Sequence, residues 1–461
     1  MNGKELILAA LSMRPVERTP WAPFVGSHGG KLIGVTADQY LKSADHIAAG
    51  LLAAKKRYRA DGLPIVFDLQ LEAEILGCQL KWSKDGPPSV ASHPLAEGKT
   101  LADLPEFDLD AGRLPVVWDA LAKVKKEIGH DTAIYGLICG PFTLALHLLG
   151  NDIFMEMFDH SDYVQAVIGL AAALGRKMAA AYLEKGADVI AITDPMVSQI
   201  SPEHYDQFVR PHIDSISREA ALRGEKSCIF VCGDATRNLE SMALCLAEGC
   251  SIDENISLPL ARDIMQKAGK SLGGNMRLTT VLLLGTPDAA RVEAVRCLKE
   301  GAGPGFILAP GCDLPYATPP ENLEAVGEVV HDPYKRQIAE KMSDAGLSPE
   351  VKALADAIVL PDYAARKEVF IDLVTLDSAT CAPCQYMAKA AAKGAEEAGV
   401  PFKLAEHKVV KPEGIAMMVK LGVANIPTIC LDGKATFISL IPDQATLAEA
   451  IRKVHREKAG K

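Results

Sequence analysis

Cys381 and Cys384, in the run Cys-Ala-Pro-Cys, carry the plainest chemistry in this sequence. They follow an apolar run and open a helical one. A helix N-terminus stabilises a thiolate, so Cys381 reads as an attacking sulfur with a lowered pKa. Cys384 then reads as the thiol that resolves the mixed disulfide. A second group of candidates is scattered over the first two thirds of the chain. Asp68, Asp194, Cys232, Asp253 and Cys312 each stand at or near the end of a short apolar run. His28, followed by two glycines, and His147 add two imidazoles at or beyond such ends, where they could ligate a metal or cofactor. His204 and His212, eight apart in a helical stretch, read as surface or packing residues. Cys78, Cys139, Cys245, Cys250, Cys297 and Cys430 have apolar neighbours and read as core.

The elements that must position these groups follow from hydrophobic periodicity. Short apolar runs at 19–25, 62–69, 132–139, 187–194, 225–232, 250–254, 271–276 and 306–311 read as strands. Amphipathic stretches such as 162–186 and 202–224 lie between them. Eight strands alternating with helices over about 300 residues predict a (β/α)8 TIM barrel, whose strand C-terminal ends build the active-site face. The domains expected are a barrel over 1–330, a structured linker over 331–365 and a small α/β domain over 366–461. The linker carries Pro333, Pro349 and Pro361 and a helical stretch near 348–359. In the last domain the order is strand 367–376, helix 381–398, strand 400–406, helix 412–421, strands 428–431 and 436–440, and helix 443–457.

Composition narrows the partners. Lys and Arg total 49 against 59 Asp and Glu, a net charge of −10, and no basic run stands out. Broad binding to nucleic acid or to an anionic membrane is therefore disfavoured. The apolar run at 132–150 is broken by Gly136, Gly140, Pro141 and His147, which argues against a membrane span. The apolar stretch at 6–13 is short and lacks a small-residue cleavage site. Eleven cysteines in no small-scaffold pattern then read as thiols of a reducing cytoplasm.

The last 95 or so residues resemble the thioredoxin family in the Cys381–Cys384 motif, in Ile426-Pro427-Thr428 before a strand, and in the βαβαββα order. The resemblance implies a cis Pro427 beside the cysteine pair and a thiol-redox partner. Thr380 and Ala382 replace the tryptophan and glycine of the commonest pattern, which leaves the partner open. The barrel segments resemble the uroporphyrinogen decarboxylase superfamily in Gly140-Pro141-Phe142-Thr143-Leu144-Ala145, Asp194-Pro195 with Ser201-Pro202, Cys232-Gly233, Gly274-Asn275-Met276 and Leu308-Ala309-Pro310-Gly311-Cys312, with Thr318-Pro319 downstream.

That superfamily implies one of two chemistries. Decarboxylation of an octa-acid porphyrinogen requires cationic forks. The turn at 24–31, which matches the family's arginine-rich one, contains no arginine; His147 and Pro195 replace the family's tyrosine and serine, while Asp68 keeps its central aspartate. The methyltransferase branch holds zinc with a His-x-Cys after the fifth strand and a Cys after the eighth. Cys232 and Cys312 match both cysteines, and Phe230 stands in the histidine's place. His28, Asp68, His147 and Asp194 are substitute ligands; Cys228 shares the strand face but lies roughly 13 Å down it. Zinc would activate a thiol to attack the methyl carbon of a methyl-corrinoid. The resemblance thus implies a corrinoid-dependent methyltransferase working with a corrinoid protein and a small-molecule methyl donor or acceptor, fused to a thiol-redox module. Two alternatives stand beside it: a thiol–disulfide oxidoreductase with the barrel as binding platform, and a decarboxylase of some less charged acid. Without zinc, Cys232 and Cys312 could instead form a dithiol kept reduced by Cys381 and Cys384.

Overall fold

The structure, a computed structural model, describes residues 1–342, 349–379 and 381–459. Ser348 and Thr380 lie outside them. The chain divides into two compact units, Met1–Ala345 and Gly346–Lys461.

Seven parallel strands make the sheet of the first unit among the described residues: β1 (Gly62–Pro64), β2 (Ala133–Cys139), β3 (Val189–Thr193), β4 (Lys226–Val231), β5 (Gly249–Ile252), β6 (Ser271–Met276) and β7 (Phe306–Pro310). They pair in sequence order, with helices between them, as right-handed crossovers require. The expected strand at 19–25 is reduced to a bridge at Trp21. Pro20 and Pro23 lack the N–H that a ladder needs. That bridge still closes the ring. Ala22 N–H donates to Leu308 O, Leu308 N–H donates to Pro20 O, each at 2.9 Å, and Asp61 N–H donates to Trp21 O at 2.8 Å. Arg18 grips Asp61 with both guanidinium ends, at 2.6 and 2.7 Å, and Asp61 also accepts the Trp21 N–H at 2.8 Å. The Trp21 segment therefore supplies the eighth stave of a TIM barrel.

The barrel interior is filled by Ala22, Phe24, Phe67, Tyr135, Leu137, Ala191, Cys228, Phe230, Ile307 and Ala309. Helix Gly3–Leu11 buries Ile7, Ala10 and Leu11 against the same core and plugs the N-terminal end of the strands. Helix Ser161–Glu184 is long and apolar enough to cross a membrane by composition, but it packs on β2 and β3 and buries Val164, Ile168, Ala171 and Met178.

The 331–365 segment is not one linker. Helix Pro333–Ala339 packs on the barrel helix Pro320–His331, whereas helix Pro349–Ala357 packs on Pro412–Lys420 of the second unit. The second unit contains β8 (Val369–Thr375), β9 (Phe402–Lys408), β10 (Thr428–Leu431) and β11 (Lys434–Ile438) in the order β9-β8-β10-β11. β8 and β9 are parallel, and β10 and β11 run antiparallel. Helices Ala382–Ala398 and Gln444–Ala459 bury Met387, Ala391, Ala395, Leu447, Ala448 and Ile451 against Val369, Ile371, Leu373 and Ile429.

Candidate active site

Cys232 follows β4 and Cys312 follows β7, two staves that are not neighbours. The turns after these strands reach across the barrel mouth, and the structure joins the two sulfurs in a disulfide with Cα atoms 5.7 Å apart. Both residues are half-buried, whereas the seven unpaired cysteines among the described residues are buried. Each turn has its own anchor. Asp253, at the end of β5, accepts the Gly233 N–H at 2.7 Å. Gly311 N–H donates to Met276 O at 3.0 Å. Asp313 accepts the Gly26 N–H at 2.9 Å, and a Cβ at Gly26 would overlap its carboxylate. Burial pushes the Asp313 carboxyl well up, with the Asp68 charge adding to it. Glu254 is pushed up to about 8 by burial and by neighbouring Asp253. Its carboxylate accepts the Leu278 N–H.

Below the mouth lies an aromatic floor. The Phe230 ring sits 4.6 Å from Phe24, 6.1 Å from Tyr135 and 6.5 Å from Phe67. Phe230 and Cys232 share a strand face, so the side chain in the position that the resemblance gives to a histidine is packed as core. A small cavity is also lined by Phe230, but its other walls include Leu11, Gly249 and Ser271 at the strand starts, the end away from the cysteine pair. A catalytic zinc takes three protein ligands and one open position. Among the described residues no group of three His, Cys, Asp or Glu side chains is placed to hold a metal ion. The expected ligands Cys232 and Cys312 do meet, but these residues do not fit zinc, because no described residue supplies the third donor.

Of the substitute ligands expected from sequence, Asp68, Asp194 and His28 are engaged elsewhere. Asp68 is buried; Arg113 Nη1 donates to it and Arg113 Nε donates to Glu74 at 2.8 Å. Asp194 accepts the Phe142 N–H at 3.0 Å, the Thr143 N–H at 2.8 Å and the Thr143 hydroxyl at 2.6 Å. It caps helix Pro141–Leu149, and a Cβ at Gly140 would overlap it. Burial outweighs these bonds and pushes its carboxyl up to about 6. Asp194, read from sequence as a catalytic candidate, thus spends its lone pairs on the helix. His28 is buried between Tyr58 Oη at 2.6 Å and Tyr316 O at 3.2 Å, and burial lowers it to about 4. His147 is buried with both ring nitrogens unpaired, and burial lowers it to about 3. Cys228 lies in the barrel core.

Sequence reasoning missed Arg113 as the partner of Asp68, and the clasps made by Asp253 and Asp313. The signal available for Asp313 was its place directly after Cys312; Arg113, 45 residues from Asp68, offered none.

In the second unit Cys381 caps helix Ala382–Ala398. The Cys384 N–H donates to its sulfur at 3.3 Å, and the two cysteines are joined as a disulfide. Cys381 is half-buried and Cys384 fully buried, an asymmetry that lets only the first be attacked from solvent. The Ile426–Pro427 bond is cis, directly before β10. Cys430, on β10, is core; burial and neighbouring Asp372 push its thiol up to about 12.

A parallel barrel with a thiol pair at its mouth now has a family. The chain belongs to the uroporphyrinogen decarboxylase (URO-D) family, whose model matches residues 2–333, and within that superfamily it is an enzyme of the methyltransferase type. It is 30% identical over 332 residues to the methylcobamide:CoM methyltransferase MtaA of Methanosarcina barkeri (strain Fusaro), covering 70% of this chain and 96% of that protein. It is 27% identical over 331 residues to the methylcobamide:CoM methyltransferase MtbA of Methanosarcina acetivorans, with the same coverages. A solved methyltransferase from Methanosarcina mazei superposes with a TM-score of 0.66 at 27% identity, over 72% of this chain and 99% of that one. The family match ends at residue 333, before the second unit begins.

Proposed function

We propose that the chain transfers a methyl group between a methylcobamide-type corrinoid, carried by a partner protein, and a small thiol acceptor in the cytoplasm. Its second unit is a thioredoxin-like thiol-redox module. The observation that carries the reading is the meeting of Cys232 and Cys312 at the mouth of a barrel that resembles methylcobamide:CoM methyltransferases over almost their whole length.

A methyl-corrinoid offers an electrophilic methyl carbon and takes back the electron pair of the broken cobalt–carbon bond. The chain's own residues do the rest. Phe24, Phe67 and Phe230 make a dry floor that excludes water from a nucleophilic sulfur. Asp253 and Asp313 fix the two cysteine turns through backbone N–H groups.

Decarboxylation of a polyanionic acid gains little support. Arg113 pairs with Asp68 and Glu74 through Nη1 and Nε and keeps Nη2 alone without a partner, and Lys31, the cation of the 24–31 turn, donates to Ala317 O at 2.6 Å. The test is anaerobic incubation of the reduced chain with methylcobalamin and small thiols, with and without a corrinoid protein. Bleaching of the methyl-cobalt spectrum is the expected result; an unchanged spectrum with every acceptor overturns the reading. A redox role for the second unit is favoured by the half-buried Cys381 on a helix N-terminus, and dithiol-driven reduction of insulin tests it separately.

A further inference from the structure

We propose that Cys232 and Cys312 are a reversible dithiol–disulfide couple in the place where the resemblance puts a metal, and that a CxxC-type dithiol reduces them. Three observations carry this. The donor set stops at two sulfurs, since Phe230 occupies the third position and is packed against Phe24, Phe67 and Tyr135. Both sulfurs belong to half-buried residues at the barrel mouth, so a thiolate can reach them, unlike the buried cysteines elsewhere in the unit. Exchange rates depend on that access. The disulfide is also not what holds the mouth together. The Gly233 turn is anchored on Asp253, the Gly311 turn on Met276, and the sheet is closed by the Trp21 bridge. Opening the bond therefore leaves both turns in place with two free thiols, the form in which a sulfur can take part in methyl transfer. This last consequence rests on the proposed function; the couple itself does not.

The chemistry balances as ordinary exchange. One thiolate of the donor attacks a barrel sulfur, breaks the Cys232–Cys312 bond and forms a mixed disulfide. The donor's second thiol breaks that bond, frees the other barrel thiol and leaves as a disulfide. Two electrons and two protons pass to the barrel pair. The donor class is a vicinal dithiol. Its source is either Cys381 and Cys384 of the chain or a separate dithiol protein, which would also re-reduce the chain's own pair.

The test reads cysteine state and metal content, so it stands even if methyl transfer fails. Full-length chain is purified anaerobically and equilibrated across ratios of reduced to oxidised dithiothreitol. Each cysteine is then scored by differential alkylation and mass spectrometry. Cys232 and Cys312 should pass together from blocked to alkylated, with zinc far below one ion per chain. Stoichiometric zinc that is lost in Cys312→Ser, or two cysteines that never oxidise to one another, overturns the proposal. Because Cys312→Ser could unfold, Phe230→His is the second probe: it returns a third donor to the strand face and should gain zinc that the wild type lacks. A wild type already holding as much zinc as Phe230→His overturns it too. With limiting dithiothreitol, the Cys381→Ser/Cys384→Ser variant distinguishes the sources. A slowing of barrel-pair reduction by roughly a hundredfold assigns the donor to the chain itself, as tethering predicts. An unchanged rate assigns it to a separate dithiol, and both results retain the couple.

Discussion

Cys381 and Cys384 are three residues apart and one helix start brings them together, whereas Cys232 and Cys312 are separated by 80 residues and meet only across a barrel mouth. The first pair inherits its chemistry from local structure: a helix dipole, an N–H donated to the Cys381 sulfur, and one half-buried cysteine beside a fully buried one. The second inherits its chemistry from what surrounds it. Two turns clasped by Asp253 and Asp313 present the sulfurs, and an aromatic floor denies them a third ligand. A thiol pair is thus defined by its neighbours, and the same two side chains serve a helix-start redox pair in one unit and a mouth-spanning pair in the other.

The largest expected effect breaks the comparison outright. Cys381→Ser should abolish dithiol-driven insulin reduction, while Cys312→Ser leaves that turnover near wild type. Equal loss in both variants would mean that the pairs are not separable. Next comes the support of the barrel face. Asp194→Ala removes three hydrogen bonds to a helix start, two of them from otherwise unpaired backbone N–H groups, and should cost about 2–3 kcal/mol in denaturant unfolding. A cost within about 0.5 kcal/mol would remove Asp194 from the structural role given to it here.

A smaller effect separates the units by pH. Burial holds Glu72 up to about 7 and Glu254 up to about 8 in the barrel. Each has a folded pKa above its unfolded value, so its contribution to stability is full in acid and is lost as pH rises through about 7 and about 8. The lowered histidines His28, His147 and His331 oppose this slope near pH 6.5, where the unfolded imidazoles still bind protons, and add none well above pH 7. The second unit shows no comparable carboxyl among the described residues. Calorimetry between pH 7.5 and 9, where the histidines are neutral in both states, should move the barrel transition down by about a degree or two and leave the other nearly fixed. Glu254→Gln should flatten the upper part of that slope. Smallest of all, His147→Leu removes two unpaired buried ring nitrogens and should change stability by no more than about 1 kcal/mol, in the stabilising direction. A clear loss in chemical denaturation would show that the imidazole has a partner in the folded protein.

Much of the architecture was written locally. Period-two apolar runs, helical spacing and prolines marked the staves from Ala133–Cys139 to Phe306–Pro310 within a residue or two, and the second unit's strand and helix order. The same reading overextended the segments at 19–25 and 62–69, where prolines cut the ladder short while leaving the apolar pattern intact. It placed Cys381 at a helix start for the same reason, since that feature needs only neighbours in sequence.

Hydrogen-bond partners far apart along the chain were another matter. Residue type and position at a strand end made Asp68 and Asp194 look alike, yet one faces Arg113 and the other caps a helix. Residue type alone also made Phe230 a missing ligand; only its rings of contact show that the space is filled. Sequence fixes which groups stand at the ends of strands, because periodicity is local. What those groups touch depends on how the ring closes and where each loop returns, and that is decided by packing between residues that the chain itself keeps far apart.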